Sequence, residues 1–187
     1  YLRQAMLKEN PGNPYYRSFE GGMLSLSAFL SGEADTVVYW GTRGQRMTDH
    51  YRLDSFGRSQ LLDHGVLLYG KDVRGNIAFP TYHDLTADIR GHYEGIRKFG
   101  KQTGRDFYSF GWLLDISRCL YTLRTGKIIA KTAAGQWALE EHLCPCPRDL
   151  EKAVEIRKHP LKYGDDEKIF DYAETLGDSI QAYADVL

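Results

Sequence analysis

The chain has 187 residues, of which 42% are hydrophobic and 26% charged, so it can bury a sizeable core in one domain or slightly more. Its formal net charge is −1, which supplies no basic field and argues against a nucleic-acid partner. No apolar run reaches the roughly 18 residues of a membrane span, so we expect no membrane partner. Three cysteines, an odd number, do not make a disulfide framework, and we therefore expect a cytoplasmic protein.

The first 54 residues favour short elements separated by helix breakers. Residues 2–9 have a helical pattern that stops at the Asn-Pro-Gly-Asn-Pro run of residues 10–14. The segment Thr36–Trp40 is β-branched and aromatic, which predicts a strand, and His50–Leu53 predicts a second one.

Sequence patterns typical of helices begin after residue 54. Asp54 is placed to cap a helix over residues 56–64, and Val66–Gly70 predicts a further short strand. We therefore place a domain boundary at 54/55, with one domain over residues 1–54 and a helical one over 55–187.

The remaining residues predict a helical bundle. Pro80-Thr81 begins a helix that ends near Phe99; its glycines, Gly91 and Gly95, suggest a close approach by another helix or a ligand. Further helices are expected over 148–158 and from Asp165 to about Ala184. The predicted fold class is mainly α: a C-terminal bundle of five or six helices, preceded by a few short β-strands.

The stretch 105–143 predicts two amphipathic helices joined by a Thr-Gly turn. The first keeps apolar residues on one face, and Gly126 stands where a left-handed residue would end it. Arg118 lies at the edge of that face, about 12 Å from the turn, and Lys131 falls near the start of the second helix. The two cations can converge on one elongated anion. The alternative is that Arg118 pairs with Asp115 and that Lys131 is a solvated first-turn residue.

A Cys-Pro-Cys-Pro run follows this hairpin, with His142 just ahead of Cys144 and Cys146. A structural metal site needs a fourth ligand and looser spacing. We therefore predict no metal site in this chain.

The pattern Ser-Arg-x-Leu-Tyr-x-x-x-Thr-Gly-Lys-Ile-x-x-Lys-x-x-Ala-x-x-Trp-Ala-Leu, over residues 117–139, resembles the C-terminal helical domain of the aminoglycoside adenylyltransferases that act on streptomycin and spectinomycin. Those enzymes pair an N-terminal nucleotidyltransferase domain with this helical domain, and ATP and antibiotic bind in the cleft between. The resemblance implies ATP and Mg²⁺ as cofactors, and Arg118 and Lys131 as the residues that bind ATP phosphates.

The metal-binding half of such an active site is missing from the sequence. Family members mark it with a Gly-Ser turn followed by Asp-x-Asp, and the chain contains neither in that arrangement. The resemblance matches Glu20 to the general base and makes residues 1–54 the tail of an incomplete nucleotidyltransferase domain. Because the sequence begins with Tyr1, we expect it to be part of a longer protein, with the metal ligands supplied upstream.

The family's acceptor-binding positions are matched less closely. The resemblance places Trp40 and Phe99 where members have tryptophans, whereas Tyr108 stands at an expected acidic position and the nearest carboxylate is Asp106. Aromatic stacking on a sugar or aminocyclitol is compatible with these residues. A cationic amine of the acceptor, however, would find no carboxylate at the family's position, which is Tyr108 here. Asp106 also fits a helix N-cap.

Two functional hypotheses follow. In the first, the chain is part of an ATP-dependent nucleotidyltransferase that adenylates a hydroxyl of an aminoglycoside-like small molecule and is inactive alone. In the second, it is a non-catalytic helical module derived from that family that binds a ligand or partner. A helical ribonuclease of the toxin–antitoxin kind needs an arginine and a histidine several residues apart, and Arg90 and His92 are too close for that.

Overall fold

A computed structural model gives the fold and describes residues 1–13, 16, 21–31, 33–41 and 44–187. The chain forms two compact units, Tyr1–Phe79 and Pro80–Leu187. The first contains the strands and the second is helical, so the predicted class, mainly α with short strands ahead of the helices, is confirmed. The assignment of residues 1–54 to a nucleotidyltransferase domain stays a prediction.

The first unit begins with α1 (Leu2–Glu9), as its helical pattern predicts. A three-stranded antiparallel sheet follows, formed by β1 (Gly21–Met23), β2 (Asp35–Gly41) and β3 (Gly44–Tyr51) in that order, with α2 (Leu26–Ser31) between β1 and β2.

The predicted strand over residues 36–40 is confirmed as part of β2, whose Val37 is fully buried. The second strand begins at Gly44 rather than His50, in a stretch whose polar residues indicate a loop. Pairing explains the difference, because Tyr39 lies opposite Arg46 and Val37 opposite Thr48. Strand formation here depends on the neighbouring strand more than on local propensity.

The helix α3 (Ser55–His64) and a short 3₁₀ helix (Arg74–Asn76) complete this unit. The cap of α3 is confirmed, since the Asp54 carboxylate accepts a hydrogen bond from the Gly57 amide at 2.7 Å. The predicted strand Val66–Gly70 is wrong: these residues form no strand, and the Leu68 side chain is 91% exposed. A β-propensity pattern gives a strand only where an edge is available for pairing.

The second unit contains six helices in its fully described sequence. They are α4 (Tyr82–Phe99), α5 (Tyr108–Thr125), α6 (Lys131–Glu140), α7 (Pro147–Lys158), α8 (Glu167–Glu174) and α9 (Gly177–Ala184). A capping box begins α4, in which the side chains of Thr81 and Asp84 each accept a hydrogen bond from the other's backbone N–H. From residue 55 onward there are seven α-helices rather than five or six.

The additional helix arises because the predicted helix over 165–184 is two helices. The break at Thr175–Leu176 lies where the chain passes the backbone of the α4–α5 connection. A Cβ at Gly177 would lie 2.6 Å from the carbonyl oxygen of Lys101, and the Thr103 hydroxyl donates to the Glu174 carbonyl at 2.6 Å. A straight helix would not leave room for this approach.

The core of the second unit is built from all six helices. Its fully or almost fully buried side chains include Ile96, Leu113, Leu114, Ile116, Ala138, Leu150, Ile156, Ala173, Leu176, Ile180 and Tyr183. No helix of the described residues approaches closely at Gly91 or Gly95, because a Cβ at either would meet nothing within 4 Å, and the ligand alternative stays a prediction. Close packing occurs instead at Gly135 of α6, where a Cβ would meet Val154 and Leu114.

A polar cluster lies near the end of α7. The Glu155 carboxylate accepts a hydrogen bond from the Tyr163 hydroxyl and contacts Lys152 at 2.9 Å and Lys162 at 3.2 Å. These donors, the tyrosine first, lower the pKa of Glu155 from its ordinary 4.5 to about 2.

No helix among the described residues combines the length and the apolar character that crossing a membrane requires.

Candidate functional site: a carboxylate shared by two cations

The α5–α6 hairpin positions the residues of the candidate site. Gly126 ends α5 with φ 69°, the left-handed conformation that the sequence predicts, and its amide donates to the Thr122 carbonyl at 2.8 Å. The Thr122 hydroxyl donates to the Lys127 carbonyl at 2.9 Å, which fixes the path of the chain after the turn. The helix α6 then begins at Lys131 and runs back along α5.

Arg118 and Lys131 converge on one carboxylate, that of Asp115. Arg118 Nη2 lies 3.2 Å from Asp115 Oδ1, and Lys131 Nζ lies 2.8 Å from the same oxygen. Lys131 Nζ also donates to Asp115 Oδ2 at 2.9 Å, so the ammonium lies across both oxygens. The two cations therefore reach the same small region, as the spacing predicts, and an internal anion lies between them.

The ion-pair alternative for these residues is realised in part, and binding of an external anion by both cations stays a prediction. The ion pair of Arg118 with Asp115 is present, but Lys131 is not a solvated first-turn residue, since it joins the same pair. The side chains of Arg118 and Asp115 are 11% and 16% exposed, and that of Lys131 is 29% exposed. The cluster therefore lies at the edge of the core with one side open to solvent, where charges interact more strongly than on a fully exposed surface.

The helix behind the cluster is held rigidly. Ser117, next to Arg118, is fully buried; it donates to the Leu113 carbonyl at 3.0 Å and shares a 3.0 Å hydrogen bond with the Tyr183 hydroxyl of α9. On α6, Gly135 follows Lys131 by one turn and packs between α5 and α7. These contacts fix the separation of the two helices, and with it the positions from which both cations extend.

Sequence reasoning missed the contact between Lys131 and Asp115. The pairing of Asp115 with Arg118 is readable from their spacing of three residues on one helix. The contact to Lys131 spans 16 residues and depends on how α6 packs on α5. The sequence does offer one signal for this contact. Asp115 lies one helical turn before Arg118, on the same hairpin that carries Lys131 as a second cation.

The aromatic and acidic acceptor candidates lie at the end of α4, around the start of α5 and in the sheet. Phe99 is the last residue of α4 and Tyr108 the first of α5, and their side chains are 59% and 51% exposed. The N-cap of α5 is Phe107 rather than Asp106, which lies one residue earlier and accepts a hydrogen bond from the Tyr108 amide at 2.9 Å. Trp40 lies in β2 with its backbone opposite Gln45, and its side chain lies outside the described part of the structure.

Glu20, the predicted general base, lies outside the described residues, as does the preceding Phe19. Its role and those of the acceptor candidates therefore stay predictions that rest on the resemblance alone.

The cysteine-rich turn before α7 lines a small cavity of about 250 Å³ with Ala138, Leu139, His142 and Pro147. Burial raises the pKa of the Cys144 thiol to about 12, so it is not a thiolate at neutral pH. The Cys146 thiol donates to the Ser179 carbonyl, with a sulfur–oxygen distance of 3.7 Å. Within the described ranges, no three or more His, Cys, Asp or Glu side chains are grouped so that they could hold a metal ion.

Arg58 and His64 have five residues between them, so they meet the ribonuclease spacing that Arg90 and His92 do not, and the conclusion that the sequence lacks this spacing is wrong. Both lie on α3, six positions apart. At about 100° per residue, their side chains point roughly 120° apart around the helix. The two residues therefore do not lie on one face of α3.

The family model described as aminoglycoside adenylyltransferase, C-terminal domain, matches residues 83–156. The match extends from the first turn of α4 almost to the end of α7, and so includes Asp115, Arg118 and Lys131. Comparison with curated proteins and with solved structures gives no significant match. Residues 83–156 of this chain are thus similar to the C-terminal domain of aminoglycoside adenylyltransferases.

Proposed function

We propose that this chain is part of an ATP-dependent nucleotidyltransferase that adenylates a hydroxyl of an aminoglycoside-like small molecule. The observation that supports it best is the convergence of Arg118 and Lys131 on one point, inside the stretch that the family model matches. Two cations at one place form an anion site, and a phosphate chain is the anion that adenylyl transfer requires there.

The two cations contribute in different ways. Arg118 presents a planar guanidinium whose paired N–H groups suit two phosphate oxygens, and its low exposure keeps that fork oriented. Lys131 supplies a compact charge on a flexible stem that can follow the phosphate chain. Phosphoryl and nucleotidyl transfer depend chiefly on positioning and charge neutralisation, and these are the contributions that this pair makes.

The residues of this chain do not fit the implied Mg²⁺. The sequence has no Asp-x-Asp, and the part that the structure describes holds no cluster of metal-binding side chains. In this proposal the metal ligands therefore belong to protein outside this sequence. The general base is Glu20, and the acceptor contacts come from Trp40, Phe99, Asp106 and Tyr108, all by resemblance.

The phosphate role is tested by ATP binding to the chain, measured by isothermal titration calorimetry. Arg118→Ala and Lys131→Ala each remove a charge-assisted hydrogen bond worth about 1.5–3 kcal/mol, so each should weaken binding by roughly 10- to 150-fold. Lys127→Ala is the matched control, because it removes an exposed lysine from the same turn and should leave the affinity unchanged.

Circular dichroism of each variant shows whether the fold is retained. Equal ATP affinity in folded Arg118→Ala, Lys131→Ala and wild-type protein would contradict the proposal, and the three charges would then serve only to stabilise the hairpin.

The alternative is a non-catalytic binding module, favoured by the lack of metal ligands in the chain. The two are separated by an adenylation assay on the longest polypeptide that the gene encodes, with α-labelled ATP and a panel of aminoglycosides. Transfer of label to an acceptor supports the enzyme, whereas ATP binding without transfer to any acceptor supports the module.

A further inference from the structure

Asp115 lies in the space that a phosphate group bound by both cations would approach. Its Oδ1 is contacted by Arg118 at 3.2 Å and by Lys131 at 2.8 Å, and Lys131 also contacts Oδ2 at 2.9 Å. The carboxylate thus already provides the cations with an anion, and the charges of the three groups sum to a single positive charge. An incoming phosphate must bind beside this carboxylate or displace it.

We propose that Asp115 is a specificity-determining residue of this site, which limits the negative charge of the phosphate ligand that the two cations accept. The inference rests on the proposed phosphate-binding function and adds to it a preference among phosphate ligands. Free polyphosphates are disfavoured, and ligands with fewer charges, or with charges already partly cancelled by a counter-cation, are favoured.

The physical reason is that the repulsion between Asp115 and a ligand grows with the ligand's charge. Since the three side chains are between 11% and 29% exposed, solvent screens this repulsion less than it would on an open surface. Asp115 also holds Lys131 in place, and this ordering favours the binding of every anion to about the same extent, whatever the anion's charge. The two effects are therefore distinguishable: ordering of Lys131 is independent of ligand charge, and repulsion is not.

The test compares the wild type with Asp115→Asn, which keeps the size of the side chain and removes its charge. Affinities for adenosine, AMP, ADP and ATP are measured by calorimetry in EDTA at one fixed ionic strength. We expect Asp115→Asn to leave adenosine binding unchanged, to tighten AMP binding about threefold, and to tighten ATP binding about tenfold or more. Asp115→Glu, which keeps the charge, should stay close to the wild type across the series.

Glu151→Gln removes an exposed carboxylate on α7 and should change none of the four affinities, which controls for net charge. Equal tightening of all three phosphates, or equal weakening of all three, would overturn the inference while leaving the phosphate site intact. Binding of the phosphates no tighter than adenosine, in wild type and Asp115→Asn alike, would overturn the proposed function and this inference with it. Thermal unfolding of each variant confirms that the proteins compared are folded.

Discussion

Gly135 controls how closely the two helices of the hairpin approach, and its replacement by alanine links packing to the candidate site. In the middle of α6, a Cβ at this position would lie 2.7 Å from Val154 Cγ2 and 2.9 Å from Leu114 Cδ2. Both distances are shorter than real Cβ contacts, and both neighbours are buried, at 7% and 1% exposure. The helix must therefore shift or its neighbours must repack.

Two opposing effects determine how Gly135→Ala changes the free energy of unfolding. Alanine is favoured over glycine in a helix interior by about 1 kcal/mol, and overpacking of a core costs about 1–3 kcal/mol. We expect the clash to dominate and the free energy of unfolding to fall by about 1–2 kcal/mol. Gly91→Ala is the matched control, since its Cβ meets nothing within 4 Å, and it should raise the free energy of unfolding by about 0.5–1 kcal/mol.

Urea unfolding followed by circular dichroism measures both changes, and ATP calorimetry measures their effect on the site. Because Lys131 is one turn before Gly135, a shift of α6 should weaken its contact with Asp115 and alter phosphate affinity, while Gly91→Ala should not. Equal stabilisation by the two substitutions would refute the reasoning, as it would mean that the gap between the helices accommodates a methyl group.

Hydrogen bonding, chiefly from Tyr163, lowers the pKa of Glu155 to about 2. The ionised Glu155 should therefore stabilise the fold fully above pH 4.5, and this contribution should be lost as the pH falls toward 2. In Glu155→Gln, the melting temperature should depend less on pH in that range. Ser117→Ala should lower the free energy of unfolding by about 1–3 kcal/mol, because the buried Tyr183 hydroxyl loses its hydrogen-bond partner. Tyr183→Phe should lower it by less, because Ser117 keeps its hydrogen bond to the Leu113 carbonyl, and urea unfolding measures both changes. Cys146, the half-buried thiol, should react first with a thiol reagent at pH 8, and a fast phase that persists in Cys146→Ser would contradict this.

The sequence alone determined the features that depend on a few neighbouring residues. Asp54 and Gly126 fix helix ends through one cap and one left-handed residue, and the structure has both. The amphipathic spacing around Arg118 likewise determined the hairpin, and the motif over residues 117–139 pointed to the family model that matches there, because helix periodicity and turn chemistry are properties of the local chain.

Only the tertiary structure decided which groups meet. The polar stretch of β3 forms a strand because it pairs with β2. Residues Val66–Gly70 have a strand-like sequence but pair with no strand among the described residues, and they form none. The tertiary structure divided the last predicted helix where Gly177 passes the backbone of Lys101. It also brought Lys131 onto Asp115, because the small Gly135 lets α6 pack close to α5, and such a contact depends on the fit of two surfaces far apart in sequence.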